Sequence, residues 1–260
     1  MDNYTEKNFE RIKATLFQQS RFTIDDVVAA LGSKRSTALW MLSNLSRSGR
    51  IARIGRGIYT FDEKNLSLRI PHLGNEISHA YDKMRNEGVS FVVTGMDILL
   101  PFVQHQPSRV LHLIYTAVGA GTWAQSFLKD SDFTPVFEPT RQEVEKILEI
   151  VPDTKELIIL REKSSRLSSN NSLATIERAF VDLYIETTRE LIPFSVQEVA
   201  YIFINMKSSI TINTAQMLRY AHDRSLRNEI QEILNFKKGA GLSTSEKPLQ
   251  NFLQILEALG

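Results

Sequence analysis

SKRSTALWMLSNLSRSGRIARIGRGIYTF, residues 33–61, decides how the chain is read. Ala38, Leu42 and Leu45 recur at i, i+4 and i+7, one face of a helix. Gly49 follows the last periodic residue, where a left-handed glycine closes a helix. Ile51, Ile54, Ile58 and Phe61 then anchor a tight β-ribbon around Gly55-Arg56-Gly57. Between Val27 and Phe61 lie six basic residues (Lys34, Arg35, Arg47, Arg50, Arg53 and Arg56) and no acid. A helix followed by a basic ribbon outlines a winged helix-turn-helix. In that fold the helix enters the major groove and the wing lies along the phosphates. A basic run can also be an ordinary solvated surface. The acid-free run and the helices that precede it favour the DNA reading.

Those helices lie upstream. Phe9, Ile12 and Leu16 form one face of a first helix over residues 5–19. Thr23 is placed to cap a second helix, IDDVVAALG, with Asp25 and Asp26 in its first turn and Gly32 at its end. Ser33 or Ser36 is expected to cap the third. Helix, helix, helix, ribbon is the winged-helix order, so residues 1–65 form the expected DNA-binding domain. Contacts to DNA fall to Lys34, Arg35, Ser36, Thr37, Trp40, Asn44, Arg47, Arg50, Arg53 and Arg56. Ser33, Thr37, Trp40, Asn44 and Arg47 make a stripe that faces base edges, while Arg53 and Arg56 flank the ribbon turn and meet phosphates. Trp40 stays open between packing and readout.

Downstream the pattern changes. Residues 62–75 read as a connector marked by Pro71 and Gly74. A helix over 77–86, strands at 90–95, 110–117, 133–137 and 156–162, and helices at 122–129 and 141–150 describe an α/β layer. Pro135 makes 133–137 an edge strand, because proline cannot donate to a ladder. Helices follow at 175–186, 195–207 and, as one long amphipathic piece, 213–234. The fold class is therefore α+β or α/β, with a mixed body over 75–236 and a helical C-terminal part. Residues 237–260 are a linker and a short apolar helix that needs a surface to dock on.

Composition excludes several classes. At 42% apolar and 23% charged, the chain is an ordinary globular protein. With no cysteine it has neither disulfides nor thiolate metal sites, which fits the cytoplasm. The charged N-terminus is no signal peptide, and no apolar run reaches membrane-spanning length. Residues 1–70 hold 12 Lys+Arg against 7 Asp+Glu, the rest 19 against 23, so a basic head adjoins a mildly acidic body.

Chemistry-bearing motifs are weak. Gly119-Ala120-Gly121 has the place of a phosphate loop, but a plain βα turn is the better reading. His72, His79, His105, His112 and His222 show no ligand pairing and read as surface or hydrogen-bonded core residues. Pro152-Asp153 ahead of Arg161-Glu162-Lys163 resembles a nuclease core, except that Arg161 stands where an acid is required. Glu177 and Asp182 sit five apart on a helix and read as structural. No catalytic residue, metal site or cofactor is expected.

LSNLSRSGRIARIGRGIYTF (42–61) resembles the winged-helix head of the AbiEi-type antitoxins of type IV toxin–antitoxin systems. In that family the ribbon ends in Arg-x-Gly-Ile/Val-Tyr; here Arg56-Gly57-Ile58-Tyr59 lacks the intervening residue. TIERAFVDLY (175–184) and ITINTAQMLRYAHDRSLRNEI (210–230) resemble the matching body, so the likeness spans residues 5–235. The resemblance implies a non-enzymatic repressor of its own operon. Its partners are double-stranded DNA and a nucleotidyltransferase-type toxin encoded beside it. Two other classes compete: an enzyme with a nuclease or nucleotidyltransferase-like body delivered by the head, and a ligand-sensing transcription factor. Oligomeric state is not legible.

Overall fold

A computed structural model describes residues 3–17, 19, 21–55, 57–61, 68, 73–104, 110–129, 133–151, 156–163, 172–189, 191–239 and 247–259. The chain divides into two units, residues 1–70 with 207–215, and residues 71–206 with 216–260.

In the first unit α1 (Asn3–Leu16), α2 (Ile24–Leu31) and α3 (Arg35–Arg47) pack around a sheet of β1 (Phe22–Thr23), β2 (Ala52–Gly55) and β3 (Ile58–Thr60). The strand order is β1-β3-β2, all antiparallel. This is the winged helix-turn-helix read from the sequence. Phe9, Ile12, Val27, Met41, Leu42 and Leu45 close its core, with Phe22 stacked 4.5 Å from Phe61. Local chemistry sets the boundaries. Thr23 and Asp26 form a reciprocal capping box on α2, and Gly32 ends that helix in the left-handed region. After α3 the Arg50 N–H reaches the Leu45 carbonyl and Gly49 takes φ 70°, a Schellman close. One expectation fails: neither Ser33 nor Ser36 caps α3. Lys34 holds the cap position in extended geometry, with no side-chain bond to the first turn.

In the second unit a four-stranded sheet has the order β4-β5-β7-β6, where β4 is Phe91–Thr94, β5 Leu111–Ala117, β6 Phe133–Phe137 and β7 Glu156–Lys163. β5, β7 and β6 run parallel, β4 runs antiparallel to β5, and β6 is an edge, where its proline is tolerated. Helices α4 (Asn75–Asn86) and α6 (Gly121–Lys129) cover one face through Ile77, Ala80, Met84, Ala124 and Leu128. A short α5 (Met96–Leu99), absent from the sequence reading, follows β4. Helix α7 is Arg141–Ile150, and α8 (Ile176–Thr188) packs on β4 and α5. Helix α9 (Val196–Ser209) carries the chain on toward the C-terminal helices.

The single helix expected over 213–234 is two, α10 (Thr214–Asp223) and α11 (Arg227–Asn235). Ser225 takes φ 58°, and the Leu226 N–H bonds the Ala221 carbonyl, so a Schellman turn interrupts the periodicity. The break lets Arg224 reach the Tyr115 hydroxyl, a contact that the continuous pattern gave no reason to expect. The last helix, α12 (Lys247–Leu259), docks on its own unit. Leu249, Phe252 and Leu256 are buried, with the Phe252 ring edge-on to Tyr184 at 5.1 Å.

Candidate nucleic-acid interface

On α3 the buried side is wider than three residues. Met41 joins Ala38, Leu42 and Leu45, and Thr37, Met41 and Asn44 share a face at i, i+4 and i+7. Thr37 and Asn44 are therefore half-buried beside Met41, and the exposed stripe is Ser36, Leu39, Trp40, Ser43 and Arg47. The sequence reading included Ser36, Trp40 and Arg47 and missed Leu39 and Ser43. Carrying the buried face on to Met41 would have found them. Trp40 lies outside the core, half exposed, so the ambiguity over packing resolves toward the surface.

The basic residues divide into three groups. Lys34, Arg47 and Arg53 are exposed. Arg35 is exposed and ion-paired with Asp25 of α2, a surface pair worth about 0–1 kcal/mol that a phosphate can displace. Arg50 points inward: its guanidinium lies 3.2 Å from Glu6 and 4.8 Å from the Phe9 ring centroid, tying the chain after α3 back to α1. The acid-free run is thus partly neutralised by acids from outside it, which the local count did not reveal. In the ribbon Arg53 pairs with Tyr59 across the hairpin, and Gly57 has φ 74°. Arg56 lies outside the described residues.

Period-2 alternation organises the body. Glu162 faces α6, while Arg161 and Lys163 face α8. Gly121 donates its N–H to Glu162 Oε1 at 2.8 Å, and hydrogen bonds from Gly119 and Gly121 hold the carboxyl below its usual range. The loop that resembles a phosphate cradle is filled by the chain's own carboxylate, and so it is a βα turn. On the other face Arg161, in the nuclease acid's place, contacts Glu186 at 3.1 Å and Glu138 at 3.2 Å and donates to the Pro139 carbonyl. Asp182, wholly buried on α8, accepts from the Thr94 hydroxyl at 2.9 Å. Around it stand Arg178 at 3.5 Å, Arg224 at 3.6 Å and Lys163 at 4.0 Å. Burial lowers Lys163 to about 8; Asp182 opposes this and the two arginines add to it. Lys163 also donates to the Tyr220 hydroxyl at 2.7 Å. Glu177 is buried on the same helix. Asp153 lies outside the described residues.

His112 bridges two carboxylates, Nδ1 to Asp97 at 2.8 Å and Nε2 to Glu156 at 2.9 Å. Burial pulls its pKa down, but Asp97 and Glu156 outweigh that and raise it to about 9. His79 and His222 are exposed, and His72 and His105 fall outside the described residues. Among the described residues, no group of His, Asp and Glu could hold a metal ion. Among them too, no helix is long and apolar enough to cross a membrane.

Residues 10–61 match the family model described as "Transcriptional regulator, AbiEi antitoxin", which bears out the likeness read from the arginine-rich ribbon. No curated protein matches the chain. A second model covers residues 37–239, from the first turn of α3 through the whole four-stranded sheet to just beyond α11. With most of its length inside that match, the chain belongs to the Family of unknown function (DUF6577), and its head is similar to the transcriptional regulators that the AbiEi antitoxin model describes.

Proposed function

We propose that the chain is a DNA-binding transcriptional regulator of the type IV antitoxin kind, which represses its own operon and counteracts a nucleotidyltransferase-type toxin encoded beside it. The observation that carries the DNA-binding half is the exposed basic face of the head. Lys34 at the cap of α3, Arg47 at its end and Arg53 in the ribbon are exposed, within a fold that the AbiEi antitoxin model matches. Arg53 and Arg56 meet phosphates; the exposed side of α3 meets base edges, with Thr37 and Asn44 at its margin. The body is read as non-enzymatic, because Glu162, Asp182 and Glu186 are each engaged by donors or cations of the same unit. No cofactor is invoked, and the site of action is the cytoplasm.

The test is titration of the full chain onto the duplex preceding its own gene, and onto a scrambled duplex, at several salt concentrations. Arg53→Ala or Arg56→Ala should weaken binding to both duplexes and flatten the log–log salt slope by about 0.9 per lost contact. Thr37→Ala or Asn44→Ala should reduce preference for the native duplex and leave the slope alone. An unchanged slope in Arg53→Ala takes the ribbon off the phosphates. Co-expression with the neighbouring reading frame tests the antitoxin half. Growth arrest that this chain does not relieve removes it.

A further inference from the structure

Leu39 and Trp40 stand side by side on the exposed face of α3, 45% and 50% exposed, in a helix that buries Ala38, Met41, Leu42 and Leu45. Ser36 and Ser43 lie one turn before and after them, and Lys34 and Arg47 mark the two ends of the stripe. Cations at both ends match a polyanion, and hydroxyls near the centre match base edges. The apolar pair in the middle needs an occupant of its own kind. In the major groove each base edge presents nitrogen and oxygen groups, and the apolar exception is the thymine C5 methyl.

We propose that Leu39 and Trp40 read thymine methyl groups, making the chain selective for duplexes with neighbouring thymines under the middle of α3. This rests on the DNA-binding reading above and adds the base class that the head selects. Cytosine lacks the methyl, and the purine edges offer only polar groups. G·C pairs at the same position therefore set two apolar side chains against donors and acceptors that stay unpaired.

The test uses the full-length chain and the duplexes it enriches from a random-sequence library. The tightest duplex is remade with deoxyuridine in place of thymidine, which removes the methyl and keeps the pairing edge. Wild-type affinity should fall roughly fourfold for each methyl that the helix buries. The double variant Leu39→Ala/Trp40→Ala should bind both duplexes alike and keep the wild-type circular dichroism and melting curve, since both side chains lie outside the core. Equal binding of the two duplexes by wild type overturns the proposal. So does a deoxyuridine penalty that survives in the double variant, because the methyls are then read elsewhere or through duplex shape. Sedimentation of the DNA-free protein adds one further outcome. A dimer that the double variant dissociates without any change in DNA affinity gives the face to a second copy and overturns the proposal. Salt-dependent binding without a deoxyuridine penalty leaves the DNA-binding reading standing. Absence of binding to any duplex at any salt removes both.

Discussion

Asp182→Asn is the most demanding perturbation of the body. The asparagine oxygen can still accept from the Thr94 hydroxyl, 2.9 Å away in the wild type, so shape and one hydrogen bond survive while the charge goes. Three cations then lose their counter-charge: Arg178 at 3.5 Å, Arg224 at 3.6 Å and Lys163 at 4.0 Å. At an effective dielectric constant of about 20 each attraction is roughly 4 kcal/mol before desolvation is subtracted. Burying four charged groups cancels most of that sum, and breaking such a buried arrangement by removing one partner costs about 3–5 kcal/mol net. Urea unfolding at pH 7, followed by circular dichroism, should therefore show a loss of that size. A control, Asp223→Asn, removes an exposed carboxylate of α10 and should cost less than about 0.5 kcal/mol. A loss below about 1 kcal/mol for Asp182→Asn would refute the view that this carboxylate holds α8, β7 and Arg224 together. The cluster would then need a role other than architecture.

Three further outcomes follow from the same geometry. His112 is raised from 6.5 to about 9, so its contribution is complete below pH 6.5 and is lost as pH rises toward 9. Lys163 is lowered to about 8, so its opposing gain begins only above that pH. Stability should thus fall by up to roughly 2 kcal/mol between pH 6.5 and 8, and His112→Gln should remove that slope in urea titrations. Gly121→Ala places a Cβ 2.1 Å from Phe137 Cε2, and the displaced ring should cost about 1–3 kcal/mol in thermal unfolding. Phe252→Ala empties a fully buried ring site against Tyr184 and should cost about 3–5 kcal/mol while operator affinity stays unchanged. Lost affinity with the fold intact would join α12 to the DNA-binding unit.

The features legible in the sequence were local ones. Thr23 with Asp26, Gly32 and Gly49 set helix ends because caps and left-handed closes act within a few residues. The unbroken apolar run in ELIILRE (156–162) marked a strand, and Pro135 marked an edge, because an apolar run and a missing N–H are properties of the segment alone. The head was legible for the same reason, as a run of short elements with strong punctuation. Tertiary structure decided how charges pair. Arg50 finds Glu6 44 residues away, Gly121 meets Glu162 across 41, and Arg224 reaches Tyr115 across 109. Coulombic and hydrogen-bond partners are chosen by distance in space, and neither composition nor periodicity carries that distance. The break at Ser225 belongs with them: the helical pattern runs straight through it, and a turn formed with the Ala221 carbonyl ends the helix. The exposed pair Leu39 and Trp40 is the converse case. The sequence left Trp40 open between packing and readout and did not single out Leu39, and the packing of Met41 and its neighbours left both facing outward.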